Sequence, residues 1–137
     1  MIRAVLDPGV LVAAVLSPSG PPASILRAWL EGAFDLVVSP ALLAETRRVF
    51  AYPKIIRYVS LEESEALLRT LVTGARNEED PTDVPAVCRD PADDYLFALS
   101  IGASAMLVSG DADVLSVTDA GVRVLRPAVF ARLIEEA

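Results

Sequence analysis

Ile2-Arg3-Ala4-Val5-Leu6-Asp7 is an apolar run that stops on a carboxylate. A short, nearly continuous apolar run is the pattern of a strand buried on both faces of a parallel sheet. Working outward, the same event recurs along the chain. Glu45 lies in the first turns of a predicted helix, just after Phe34-Asp35-Leu36-Val37-Val38. Asp93 and Asp94 open another predicted helix, and Asp111 follows Ala105-Met106-Leu107-Val108-Ser109 across Gly110. Ligands of open parallel sheets bind outside the carboxyl ends of the strands. Acids gathered there make an oxygen-rich pocket, and such pockets suit Mg2+ or Mn2+.

The segments between these runs read as helices. Pro8 to Leu16 is a short helix, and Ser17-Pro18-Ser19-Gly20-Pro21-Pro22 is the clearest loop of the chain. Ala23 to Gly32 follows, with Ile25, Leu26, Trp29 and Leu30 on one face. Ser39-Pro40 is an N-cap and first-turn pair, opening a helix that runs to about Ala51. Pro53 to Val59 reads as a short helix. Ser60 to Gly74 is a longer one with Glu62 and Glu63 in its first turn. Val84 to Cys88 reads as an edge strand, because Pro85 lacks the donor that a central strand needs. Asp93 to Gly102 is a helix, 105–109 and 122–125 are strands, and Pro127 to Glu135 closes the chain as a helix. Alternating strands and helices predict an α/β fold with three layers, α/β/α, around a central, mostly parallel sheet. Residues 1–137 are the size of one domain.

Composition removes several classes of function. The hydrophobic fraction of 53% is ample for a core. No apolar stretch approaches the roughly 20 residues of a membrane span. The first strand meets Asp7 too early for a secretory signal peptide, and the single Cys88 fits a reducing cytoplasm. With no histidine in the chain, Ser-His or Cys-His catalysis and His-built zinc sites are excluded. Neither a P-loop nor a dinucleotide fingerprint occurs. Lys54 is the only lysine, and the net charge of −7 disfavours nonspecific nucleic-acid binding through a basic surface.

Each acid also has an ordinary structural reading. Asp7 with Pro8 behind it makes a good N-cap, and Glu45 suits an early helical turn. One of Asp90, Asp93 and Asp94 should cap the helix that follows them. Asp111 and Asp113 sit among turn formers. Taken together the acids mean more. At about 4 Å and an effective dielectric near 20, each like-charged pair costs on the order of 4 kcal/mol before screening. A protein that gathers them needs protons or a cation to neutralise the repulsion.

Four stretches in order carry a resemblance to a known family. They are Ala4-Val5-Leu6-Asp7 with Val10-Leu11-Val12-Ala13-Ala14; Val38-Ser39-Pro40-Ala41-Leu42-Leu43-Ala44-Glu45; Arg89-Asp90-Pro91-Ala92-Asp93-Asp94-Tyr95-Leu96; and Leu107-Val108-Ser109-Gly110-Asp111-Ala112-Asp113-Val114-Leu115. The chain resembles the PIN domain, a small Mg2+-dependent ribonuclease fold, and within it the bacterial toxins of toxin–antitoxin systems. The resemblance implies that Asp7, Glu45, Asp93 and Asp111 bind one or two Mg2+ or Mn2+ ions. Asp94 is the alternative to Asp93, and Asp113 is an assisting acid. It implies Ser109 as a water- or phosphate-positioning residue. It further implies an RNA substrate, a cognate antitoxin and a homodimer. Arg47, Arg48 and Arg89 are candidates to hold RNA phosphates. One departure stands out: Pro8-Gly9 replaces the small polar residue and Asn or Ser that usually follow the first acid.

Two other classes compete. A receiver-like domain would share the acidic Mg2+ pocket but want a lysine at a late strand end, and Lys54 falls in a helical region. A binding module would keep the scaffold and lose turnover.

Overall fold

The computed structural model describes all 137 residues. Five strands form one sheet in the order β3-β2-β1-β4-β5. They are β1 (Arg3–Leu6), β2 (Asp35–Val38), β3 (Arg76–Asn77), β4 (Met106–Val108) and β5 (Val124–Leu125). Every pairing is parallel. The helices are α1 (Pro8–Leu16), α2 (Pro21–Leu30), α3 (Pro40–Phe50), α4 (Pro53–Ile56), α5 (Leu61–Gly74), α6 (Asp94–Ala103), α7 (Ala112–Leu115) and α8 (Pro127–Glu136). The result is a three-layer α/β/α sandwich.

Local chemistry explains most boundaries. Five of these helices have proline in their first turn, where its missing N–H costs nothing. Ser39 accepts from Leu42 N at the start of α3. Ser60 and Glu63 form a reciprocal capping box at the start of α5. Gly74 ends α5 against Trp29, where a Cβ would stand 3.2 Å from the indole ring. The central strands are sealed on both faces: Ala4, Val5, Leu6, Val37, Val38, Leu107 and Val108 are all buried. They join one hydrophobic core that reaches from Ala4 to Ile134. No single helix is long and apolar enough to cross a membrane.

The expected edge strand at Val84 to Cys88 does not form. That segment is irregular, and the edge is taken by Arg76–Asn77, which pairs with Val37 and Val38. Two features explain the difference. Pro85 removes one ladder donor, and the amides of Val87 and Cys88 both donate to the Asp94 carboxylate instead of to a strand. The helix expected from Asp93 begins as a 3-10 turn, Pro91–Asp93, and becomes α-helical at Asp94. The short helix α7 was not expected from the sequence.

The strand order places the site. From β1 the chain moves to β2 on one side, and it later returns to β4 on the other. This reversal opens a crevice at the carboxyl ends of β1 and β4. Leu6 is in register with Val108, so Asp7 and Ser109 leave the sheet side by side.

Candidate metal centre at the sheet switch point

Asp7 serves the fold and the crevice at once. Its Oδ1 accepts from Gly9 N at 2.8 Å, capping α1, while its Oδ2 accepts from Ser109 Oγ at 2.7 Å. The fully buried Ser109 hydroxyl also accepts from Asp111 N at 3.0 Å. One hydroxyl thus ties the first acid to the backbone of the last. Asp111 caps α7 by accepting from Asp113 N at 2.8 Å, and its residue is exposed to the crevice. Asp113 is in the first turn of that helix.

The acids feel one another. Burial raises the pKa of Asp7 above the ordinary value, against the lowering effect of Ser109 and Gly9, and the charges of Asp111 and Glu45 raise it further. Asp93 is pushed up to about 6, first by burial and then by Asp7, Asp111, Asp90 and Glu45. The structure therefore draws Asp7, Glu45, Asp93 and Asp111 into one electrostatic unit. Glu45 is a turn into α3, and both of its oxygens are held by Arg48, at 2.9 Å from Nε and 2.5 Å from Nη2. Arg48 also lies over the Tyr52 ring, 5.4 Å from its centroid.

Asp90, Asp93 and Asp94, which the sequence left ambiguous, have three different settings. Asp90 caps the 3-10 turn by accepting from Ala92 N. Asp93 faces the other acids. Asp94 is buried, and its Oδ1 accepts from Cys88 N at 2.7 Å and Val87 N at 3.1 Å. Those bonds, led by the one from Cys88, lower its pKa. The structure thus sets Asp94 as an anchor for the loop before the turn and not beside the other acids. Replacing Asp94 with Ala should cost about 2 kcal/mol, since it strands two amides that bond to a charged group. Its depressed pKa means that this stability is present above the unfolded value and is lost as pH falls through the folded one. Urea unfolding of Asp94→Ala measures the loss. Unchanged stability with lost Mn2+ affinity would instead make Asp94 a ligand.

The arginines also separate. Arg47 pairs with Glu65 on α5 and lines an apolar groove with Phe50, Ile56 and Leu68. Arg48 borders the acidic crevice, and Arg89 is exposed in the loop before the 3-10 turn, paired with no acid. Burial and then Asp94 push the Cys88 thiol up to about 12, which disfavours the thiolate that a nucleophile needs.

Two hollows meet at Asp7. One, of about 150 Å3, is lined by Asp7, Glu45, Arg48, Asp90, Asp93 and Tyr95. The other, of about 400 Å3, has Asp7, Asp111 and both Gly9 and Gly110 in its walls. Sequence reasoning missed Tyr95 and Asp80. The Tyr95 hydroxyl and Asp80 Oδ1 are buried without a hydrogen-bond partner. The other oxygen of Asp80 accepts from Ala41 N in the first turn of α3, at 2.9 Å. A tyrosine on the second position of an acid-headed helix carries no motif, so only its surroundings identify it.

The donor set suits a hard cation. All of its atoms are carboxylate oxygens, and the chain has no histidine. No three of the acids stand close enough to chelate one ion as they are arranged. Mg2+ does not require that, since it keeps several waters and uses one or two direct carboxylates.

Comparison with known proteins bears on the family and the fold. A family model for the PIN domain matches residues 3–113. The uncharacterized protein MJ1680 of Methanocaldococcus jannaschii is 27% identical over 118 residues, which span 86% of this chain and 76% of the relative. Among solved structures, PAE2754 from Pyrobaculum aerophilum superposes with a TM-score of 0.68 at 13% identity, covering 99% of this chain and 91% of that one. VapBC2 from Rickettsia felis, bound to a DNA fragment from their promoter, gives 0.61 at 12% identity, covering 91% and 98%. At these identities the superpositions show a shared fold.

Proposed function

The chain belongs to the PIN domain family, whose members are generally nucleases, and from that premise we propose that it is a Mg2+- or Mn2+-dependent endoribonuclease. The observation that carries this reading is the acidic unit at the sheet switch point, where the charges of Asp111 and Glu45 bear on Asp7 and those of Asp7, Asp111 and Glu45 on Asp93. These four residues would hold one or two ions, with Asp113 nearby. When bound, such an ion lowers the pKa of a water and offsets charge on the phosphate.

The chain's own groups do the rest. Ser109 holds Asp7 and the turn of Asp111 in fixed relation. Asp93 supplies a carboxylate once it is ionised. Arg48, held by Glu45 at the rim, and the unpaired Arg89 are the candidates to meet RNA phosphates. Arg47 faces α5, which makes it the weakest of the three candidates. By the family resemblance the products carry 5′-phosphate and 3′-hydroxyl ends.

Superposition on a toxin–antitoxin complex supports a toxin role with a protein antitoxin as partner. A homodimer and a cytoplasmic location belong to the same proposal. The receiver-like alternative loses ground because Lys54 is exposed on α4, away from both hollows at Asp7. A binding module remains the second reading, favoured by Pro8-Gly9 and by the spacing of the acids.

Incubation with labelled single-stranded and structured RNAs in Mn2+ tests the proposal. Discrete products ending in 5′-phosphate, abolished by chelator, are expected. Tight Mn2+ binding with no cleavage of any RNA would favour the binding module instead.

A further inference from the structure

The two hollows that meet at Asp7 differ in chemistry. The smaller is ringed by acids and by Arg48. The larger, of about 400 Å3, has walls of Val10 and Ala13 from α1, Pro22 from α2 and Pro127 from α8. Its only polar side chains are Asp7 and Asp111; no cationic, hydroxyl or amide side chain lines it. Gly9 adds no side chain, and neither does Gly110, where a Cβ would meet nothing within 4 Å. Apolar surface thus lies against two of the acids proposed to hold the ion. A preformed, mostly apolar concavity of this size is the usual form of a ligand site.

We propose that this hollow is the subsite for one nucleobase of single-stranded RNA, the base of a nucleotide next to the scissile phosphate. The assignment rests on the nuclease reading. Single-stranded RNA is recognised through bases splayed out of the stack. Asp7 and Asp111 fix where the ion, and with it the phosphate, would sit: at one edge of the hollow. The attached nucleoside is the next group along the RNA. A second phosphate is unsuited to walls that offer it no cation. A base has flat apolar faces, which Val10, Ala13 and the two proline rings can cover. With both carboxylates engaged by the ion, no side chain is left to read the hydrogen-bonding edge. The subsite should therefore require a base while discriminating weakly among the four.

The probe is a short labelled single-stranded oligoribonucleotide that wild type cleaves in Mn2+, with the cleaved bond mapped first. Binding is then measured with Ca2+ in place of Mn2+, for the parent and for versions made abasic at one position each. The variant is Ala13→Leu, which fills the hollow from a half-buried wall position and leaves every acid in place. Wild type should lose about tenfold in affinity at one abasic position flanking the mapped bond, and little when that base is exchanged for another. Tenfold is toward the low end of what packing one base contributes, because the hollow holds no aromatic ring. Ala13→Leu should bind the parent about tenfold more weakly and lose the abasic penalty, with its Mn2+ affinity unchanged. Parent binding equal to wild type, or an abasic penalty that persists in Ala13→Leu, overturns the assignment. So does a wild-type scan with no sensitive position, which needs no variant. If Ala13→Leu fails to fold, Ala13→Met fills the same space with a more adaptable chain. If wild type cleaves no RNA, the nuclease reading falls and takes this subsite with it.

Discussion

Asp7→Asn is expected to cut RNA cleavage by on the order of 10²–10³-fold while leaving the melting temperature equal or higher. The two halves have separate causes. Asparagine caps a helix as well as aspartate does, so the bond from Gly9 N survives. Where Oδ2 stood, the amide NH2 can donate to Ser109 Oγ, so that contact survives with its direction reversed. What disappears is a buried charge, already disfavoured by burial and by Asp111 and Glu45. Its folded pKa lies above the unfolded one, so ionised Asp7 costs stability at neutral pH, and asparagine removes that cost. The loss in activity follows from a missing anionic ligand. Even outer-shell changes around metals cost 10–100-fold, and electrostatic groups at reacting centres cost about 10²–10³-fold. Initial rates in Mn2+ and a thermal melt of the metal-free protein check both halves. Wild-type rates from Asp7→Asn would remove the metal mechanism.

Asp93 governs the second large effect, a pH-dependent response to divalent cations. Its folded pKa of about 6 stands above the unfolded 3.8, so the folded protein binds this proton more tightly. That contribution to stability is complete below the unfolded value and is lost as pH rises through about 6. The metal-free protein should therefore melt lower at pH 7.5 than at pH 5.5. Asp7, shifted in the same direction, adds to the trend. Asp94 and Glu63 are shifted downward, so their losses come only at still lower pH. Mn2+ should reverse the deficit. At a hundredfold excess over its dissociation constant, a ligand of the folded state contributes about 2.7 kcal/mol, roughly 10 °C for a domain of this size. At pH 5 the proton on Asp93 competes and weakens binding about elevenfold, so about half of the Mn2+ shift should vanish. Asp93→Asn should raise the metal-free melting temperature at pH 7.5 and abolish most of the response to Mn2+. An equal Mn2+ shift at pH 5 and 7.5 would show that Asp93 takes no part in holding the ion.

Both effects come from one physical compromise. Four acids are held near one another by a rigid sheet end, and the repulsion is only partly relieved. Arg48 neutralises Glu45, burial keeps the proton of Asp93 up to about pH 6, and Ser109 donates to Asp7. A cation binding here replaces protons and repulsion with ligand bonds. This is why stability and activity are expected to move in opposite directions when an acid is removed.

Much of the fold was legible in one dimension. The apolar runs at Ile2–Leu6 and Phe34–Val38 mark strands because burial on both faces requires unbroken hydrophobicity. Ser39-Pro40 and Ser60 with Glu63 mark helix starts because capping is satisfied within three residues of chain. Val84 to Cys88 misled because its composition suits an edge strand, while the acceptor that takes its amides, Asp94, lies beyond the next turn.

The sequence by itself determined the alternating α/β order, the acidic and histidine-free character of the site, and the strand ends where the acids sit. These depend on residue type and on neighbours a few positions away. The setting of each acid came from tertiary packing. It set Asp93 toward Asp7 and Asp94 under the preceding loop, sent Arg47 to Glu65 and Arg48 to Glu45, and placed Ser109 between two acids. It also left the Tyr95 hydroxyl buried without a partner. Adjacent residues on a helix point about 100° apart. Whether one faces a crevice or a loop is therefore settled by what packs against that helix from distant parts of the chain.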